Sequence, residues 1–179
     1  MRRVLAAFGS ILLAAAMAAG SGANFQASSA NTGNLIHAGI VAVTSTSDAT
    51  ALLNVAALAP GHSSVSTVDI TNSGDLAAAF TLTSANIVDT PASPAFSAKA
   101  DLKLEDLGDP ACVSSCPAVV TVYNGKLGSL TSAALGTWAV GAKHRFRFTV
   151  TLADGGLGAE DAYQGGRTTV NYTWTAANT

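Results

Sequence analysis

The sequence predicts an all-β protein, an antiparallel β-sandwich of the jelly-roll type, and three observations carry that expectation. Apolar and polar residues alternate with period two over several segments, the pattern of strands with one face in a core and one in water. Clusters of Gly, Pro, Asn, Asp and Ser separate these segments at short intervals, where a chain of hairpins needs its turns. Only 11% of the 179 residues are charged, and 36 are Ser or Thr. Small polar and β-branched residues therefore supply the wet faces that Lys and Glu supply on helices. The length suits one domain with its own core.

The apolar fraction of 49% could suggest a membrane protein, but alanine inflates it, with 36 Ala in the chain. After Leu13 no apolar run approaches the ~20 residues that a spanning helix needs. The composition excludes a polytopic membrane protein, a coiled coil and a strongly basic nucleic-acid binder.

The chain opens with a basic Met1-Arg2-Arg3, followed by sixteen uncharged residues, Val4 to Ala19. Small residues come next, with Ser21 and Ala23 at the −3 and −1 positions of a signal-peptidase site. Residues 1–23 are accordingly expected to be a signal peptide cut between Ala23 and Asn24. A retained signal anchor is the alternative, disfavoured by the short run and the lack of a second basic flank. The C-terminal NYTWTAANT has neither an apolar tail nor basic residues, so no membrane anchor is expected there. Cleavage removes Arg2 and Arg3 and no acid, moving the formal net charge from −2 to −4. A mildly acidic product has no electrostatic attraction to nucleic acid or anionic lipid, and membrane contact is expected only through an uncleaved signal peptide.

Residues 24–34 (NFQASSANTGN) are polar around a single large apolar side chain, Phe25, and read as an extended segment, poorly tied to its own domain, preceding a sandwich over 35–179. The first expected strand is 35–43, with Gly39 as a bulge or close-approach site. A short apolar piece, Leu52 to Val55, and a turn at Leu58-Ala59-Pro60-Gly61 follow. Residues 64–72 place Val68 and Ile70 on one face and Thr67, Asp69 and Thr71 on the other. Asn72-Ser73-Gly74-Asp75 turns the chain into 76–84, where Leu76, Ala78, Phe80 and Leu82 are expected inside. Pro91 and Pro94 mark 90–98 as loop. Residues 100–107 set Leu102 and Leu104 against Lys103 and Glu105, and 119–123 forms the next strand. The helix expectation is confined to a short turn at 126–130. Two long strands close the chain, 143–152 with Phe146, Phe148, Val150 and Leu152 inward, and 167–175 with Val170, Tyr172 and Trp174 inward.

The two cysteines, Cys112 and Cys116, stand four apart between Pro110 and Pro117. In an exported protein this spacing reads as a local disulfide pinning a turn; a metal pair is the alternative and lacks a second cluster. His37, His62 and His144 each stand alone, and no HExxH helix motif occurs. No GxSxG elbow and no phosphate-cradling GxGxxG or GKS pattern is present. Asp154, Glu160 and Asp161 share one loop without EF-hand spacing, so a solvated acidic loop is favoured over a calcium site. Asn171-Tyr172-Thr173 matches a glycosylation sequon but falls within a strand. The expectation is therefore a protein that is not an enzyme, with no catalytic residues, no cofactor and no metal.

Several segments, taken in order, resemble one family. They are the signal peptide, Asn24-Phe25 just after the cut, Asn34-x-Ile36-x-Ala38-Gly39-x-Val41-x-Val43, Leu58-x-Pro60-Gly61, and Val68-x-Ile70-x-Asn72-x-Gly74-x-Leu76. Downstream come Phe146-x-Phe148-x-Val150-x-Leu152, Asp161-Ala162-Tyr163-Gln164-Gly165 and Val170-x-Tyr172-x-Trp174-x-Ala176. Over nearly the whole mature chain this set resembles the TasA/camelysin family, exported proteins whose signal peptides are cut by a SipW-type signal peptidase. The Cys112–Cys116 turn is not part of the shared pattern. The resemblance implies a jelly roll, secretion to the extracellular matrix or cell surface, and a structural role in biofilm fibres. It further implies that the mature N-terminal segment of one subunit, with Asn24, Phe25 and Gln26 at its head, adds as a strand to the next. The expected partner is thus a second copy of the chain, with other matrix proteins or polysaccharide as further partners. A secreted metallo-endopeptidase of the camelysin type and a monomeric adhesin are the alternatives.

Overall fold

The protein is described by a computed structural model covering residues 26–30, 42–46 and 58–178, the first of these stretches as backbone only. The signal peptide, the Ala23–Asn24 cleavage site, Asn24, Phe25, His37, most of the strand expected over 35–43, and Leu52 to Val55 lie outside the described residues.

Two antiparallel sheets form among these residues, as the alternation predicts. One contains β1 (Gln26–Ala30), β9 (Arg167–Asn178), β4 (Ala78–Thr90) and β7 (Ser132–Trp138), in the order β1-β9-β4-β7. The other contains β2 (Val43–Ser45), β3 (Ser63–Asn72), β8 (Lys143–Thr151), β5 (Asp101–Asp106) and β6 (Val120–Lys126), in the order β2-β3-β8-β5-β6. From β3 onward the chain changes sheet at every connection except β5 to β6. The result is an all-β sandwich.

The inner faces interdigitate. Val68 and Ile70 of β3, Phe80 and Leu82 of β4, Leu102 and Leu104 of β5, Phe146 and Phe148 of β8, and Trp174 of β9 are all buried. Phe148 crosses between the sheets, its ring 5.0 Å from Tyr172 and 6.5 Å from Trp174 between centroids. At the other end Phe80 stacks on Trp138 at 4.0 Å, and Trp138 on His144 at 4.2 Å. A buried Asn72 clamps that end. Its side-chain amide donates to the carbonyls of Leu76, Trp138 and Ala139 at 2.9, 3.1 and 3.2 Å, and its Oδ1 accepts the Gly74 amide at 3.1 Å.

Several expectations change. Leu76 precedes β4 and is 43% exposed, because the turn that Asn72 organises holds the chain out of the sheet until Ala78. β4 runs on to Thr90, beyond the expected end at 84, through a register shift between Ala85 and Val88. Glu105 stands on the wet face, as expected, opposite Arg147 of β8, yet it is only 6% exposed. Lys103 and Arg147 cover it, with Nζ 2.6 Å and Nη2 2.8 Å from the carboxylate, and these pairings offset the cost of desolvating it. The loop expected over 90–98 ends in a one-turn helix, α1 (Phe96–Lys99), while the turn expected at 126–130 is 3₁₀ at Leu127–Ser129. Asp89 anchors α1, accepting from the Ser97 amide at 2.8 Å and the Ser97 hydroxyl at 2.7 Å.

β7 was not anticipated. The bulge opposite Phe80 and Thr81 shifts its parity, so Ala133 and Leu135 are half-buried at odd positions while Trp138 is buried at an even one. A strand that changes parity midway shows no period-two signature.

Candidate assembly edge and loop cleft

Among the described residues β1 is the outermost strand of its sheet and pairs with β9 alone, in the register Gln26 to Ala177 through Ala30 to Thr173. The residues read as an extended leader, poorly tied to its own domain, instead include a strand hydrogen-bonded to that domain, because five consecutive residues find the open side of β9. Gln26, one of the three expected assembly residues, is the first residue of β1. The strand carries Gln-Ala-Ser-Ser-Ala, with no charge and no large apolar residue.

The backbone hold on such a strand is small. Antiparallel pairing gives about one hydrogen bond per residue, each contributing about 1 kcal/mol net. Fixing a residue's backbone costs about 1–2 kcal/mol. Over five residues these backbone terms offset each other to within a few kcal/mol. A departed β1 exposes a row of N–H and C=O groups on β9, a template for an equivalent strand from elsewhere.

The other edges differ. β2 is three residues long and β7 is bulged, features that discourage strand addition. β6 carries exposed Val120, with exposed Val119 just before it, and its one charged residue, Lys126, pairs with Asp101 at 2.6 Å.

Among the buried side chains of β9, Tyr172 Oη and Trp174 Nε1 have no hydrogen-bond partner among the described residues. Burial pushes the Tyr172 phenol well above its ordinary pKa. Asn171 of the sequon is exposed in mid-strand, paired with Ala85 of β4.

Cys112 and Cys116 form the disulfide, with Cα atoms 5.7 Å apart. It closes an exposed loop between β5 and β6 whose tip, Val113, is almost fully exposed. His62 Nδ1 lies 3.1 Å from the Pro60 carbonyl, and His144 Nδ1 lies 2.8 Å from Asp106 Oδ2. Among the described residues no group of three or more His, Cys, Asp or Glu side chains converges.

The acidic loop departs in part from the solvated reading. Glu160 is buried, accepting the Gly155 amide at 3.0 Å and pairing with Lys99 Nζ at 2.8 Å. That pairing raises the Lys99 ammonium above the usual lysine range. A Cβ on Gly155 would stand 2.9 Å from Ala159 Cβ and 2.8 Å from Glu160 Oε1, so a larger residue there must displace one of them. Asp154 and Asp161 remain exposed and turn to separate partners, the Gly156 amide and Gln164 Nε2.

This loop, α1 and the turn before β3 enclose an open cleft of about 850 Å³. Two sequence motifs a hundred residues apart, Leu58-x-Pro60 and Asp161-Ala162-Tyr163-Gln164-Gly165, meet on its walls. No signal within either motif foretells that meeting, because it depends on β8 and β9 bringing their connecting loop back over the start of β3. The chain matches no family model, and no curated protein matches it.

Proposed function

We propose that this protein is an exported structural subunit of an extracellular matrix fibre, of the TasA/camelysin type, whose copies join by exchange of the N-terminal strand. The observation that carries the reading is the position of β1: a short, uncharged strand at the edge of its sheet, two residues after the expected signal-peptide cut. In the exchanged state the β1 of one subunit occupies the β9 edge of the next with the same register. Each subunit then both donates and accepts, and a head-to-tail contact that does not close propagates into a filament. The jelly-roll assignment is supported by the alternation of strands between the sheets, β9, β4 and β7 in one and β3, β8, β5 and β6 in the other.

The test is electron microscopy of the mature protein beside a version lacking residues 24–34. Filaments from the first and dispersed monomers from the second are expected. A synthetic peptide of residues 24–34, added in excess, is expected to cap growing ends and shorten the filaments. Filaments that persist unchanged after the deletion would overturn strand exchange as the joining mechanism.

A further inference from the structure

We propose that the cleft between α1 and the β8–β9 loop is a binding site for a neutral glycan chain. Its volume of about 850 Å³ falls within the range of pockets that enclose a small ligand, roughly 300–1,000 Å³. Two rings stand on its walls, both half-buried: Phe96, whose inner side packs on the core, and Tyr163, with Lys99 Nζ over its ring at 5.9 Å from the centroid. Aromatic faces of this kind pack against the C–H faces of a pyranose, burying apolar area at little cost in side-chain entropy.

Around the rings stand planar polar groups with capacity to spare. Asp154 and Asp161 each commit Oδ1 to the loop itself, and neither Oδ2 has a partner among the described residues. Gln164 commits its amide nitrogen to Asp161, leaving Oε1. Arg167, exposed at the start of β9, makes no ion pair among the described residues. Carboxylate, carboxamide and guanidinium each present adjacent donors or acceptors in one plane, the geometry that matches neighbouring hydroxyls on a sugar ring.

Charge selects among glycans. Glu160 of the cleft wall is neutralised by Lys99 behind it, 2.8 Å away. Two acids then face one guanidinium, an excess of one negative charge. That balance repels uronate polymers and phosphodiester chains and leaves uncharged sugars unaffected. The site is also separate from the assembly edge: Arg167 precedes Thr173, the last β9 residue paired with β1, by six positions, roughly 20 Å along a strand.

The experiment is calorimetric titration of the mature protein with hexamers of β-1,4-glucose, N-acetylglucosamine and mannose, with a galacturonate hexamer as the anionic comparison. At least one neutral hexamer is expected to bind. Its affinity is expected to fall about tenfold or more in Asp161→Ala and in Arg167→Ala. Both side chains are exposed, so the urea midpoint of each variant is expected to match the parent. Asp75→Ala, in the β3–β4 turn, is expected to bind as the parent does. Failure of all three neutral hexamers, binding of galacturonate alone, or unchanged affinity in both cleft variants would overturn the proposal. Deleting residues 24–34 is expected to leave binding intact, so glycan binding and filament formation stand or fall separately.

Discussion

Replacing Asn72 by Ala is the sharpest test of how the two sheets are locked at one end. Asn72 is fully buried, and its side chain is hydrogen-bonded to Leu76, Trp138, Ala139 and Gly74. The bonds to the Trp138 carbonyl and the Gly74 amide are themselves buried, and the other two are partly so. Each buried group left unsatisfied costs about 1–3 kcal/mol. With two such groups fully desolvated and two reachable by water, the variant is expected to lose about 3–5 kcal/mol, a large share of the roughly 5–15 kcal/mol that holds a domain folded. Urea unfolding of the mature protein with its disulfide intact measures this directly, as a fall in midpoint at unchanged slope. Asn72→Asp adds a pH signature. A carboxylate in that position faces three carbonyl oxygens and cannot donate to them, so burial raises its folded-state pKa above the unfolded value of about 3.9. Stability of this variant is therefore retained below about pH 4 and lost as pH rises through the folded-state value. A loss below about 1 kcal/mol for Asn72→Ala, or a flat profile for Asn72→Asp between about pH 4 and 8, would refute the clamp.

Three further outcomes are expected. Two hydrogen bonds from Arg145, at 2.6 and 2.8 Å, hold Asp69 below the usual carboxylate range against the opposing effect of burial. The stability this contributes is present above about pH 4 and is lost as pH falls through the lower folded-state value, so Asp69→Asn is expected to flatten the acid limb of a stability-against-pH curve. Replacing Cys112 and Cys116 together by Ser opens a ring of five residues worth about 2 kcal/mol at most in chain entropy; calorimetry is expected to show a modest fall in Tm with the fold retained, and loss of folding would contradict the loop's peripheral place. Tyr172→Phe removes a buried hydroxyl with no partner among the described residues and is expected to leave stability unchanged or slightly raised in urea titration.

Strand identity was legible because it is a local property. Val68 with Ile70, Phe80 with Leu82, and Phe146 with Phe148 and Val150 sit two residues apart, and period two in a strand means one face. The Cys112–Cys116 disulfide was legible for the same reason, since five residues hold both its ends. β7 is hidden because a bulge shifts its alternation partway, and the burial of Glu105 is hidden because Arg147, from a strand some forty residues on, folds over it together with Lys103. Of the candidate sites, the leader containing β1 was marked by its polar composition. Its partner strand was not, because composition carries no register.

The sequence by itself determined that this chain is a sandwich of antiparallel strands whose wet faces are rich in Ser and Thr, and where most of those strands lie. Only the tertiary structure decided that β1 closes the edge of β9, that Asn72 ties two distant turns together, and that residues near 60, 96 and 160 share one cleft. The physical reason is range. Alternation is written between neighbours two apart, whereas pairing partners, buried polar clamps and loop-built clefts join residues tens of positions apart, and no short pattern encodes which distant segments will meet.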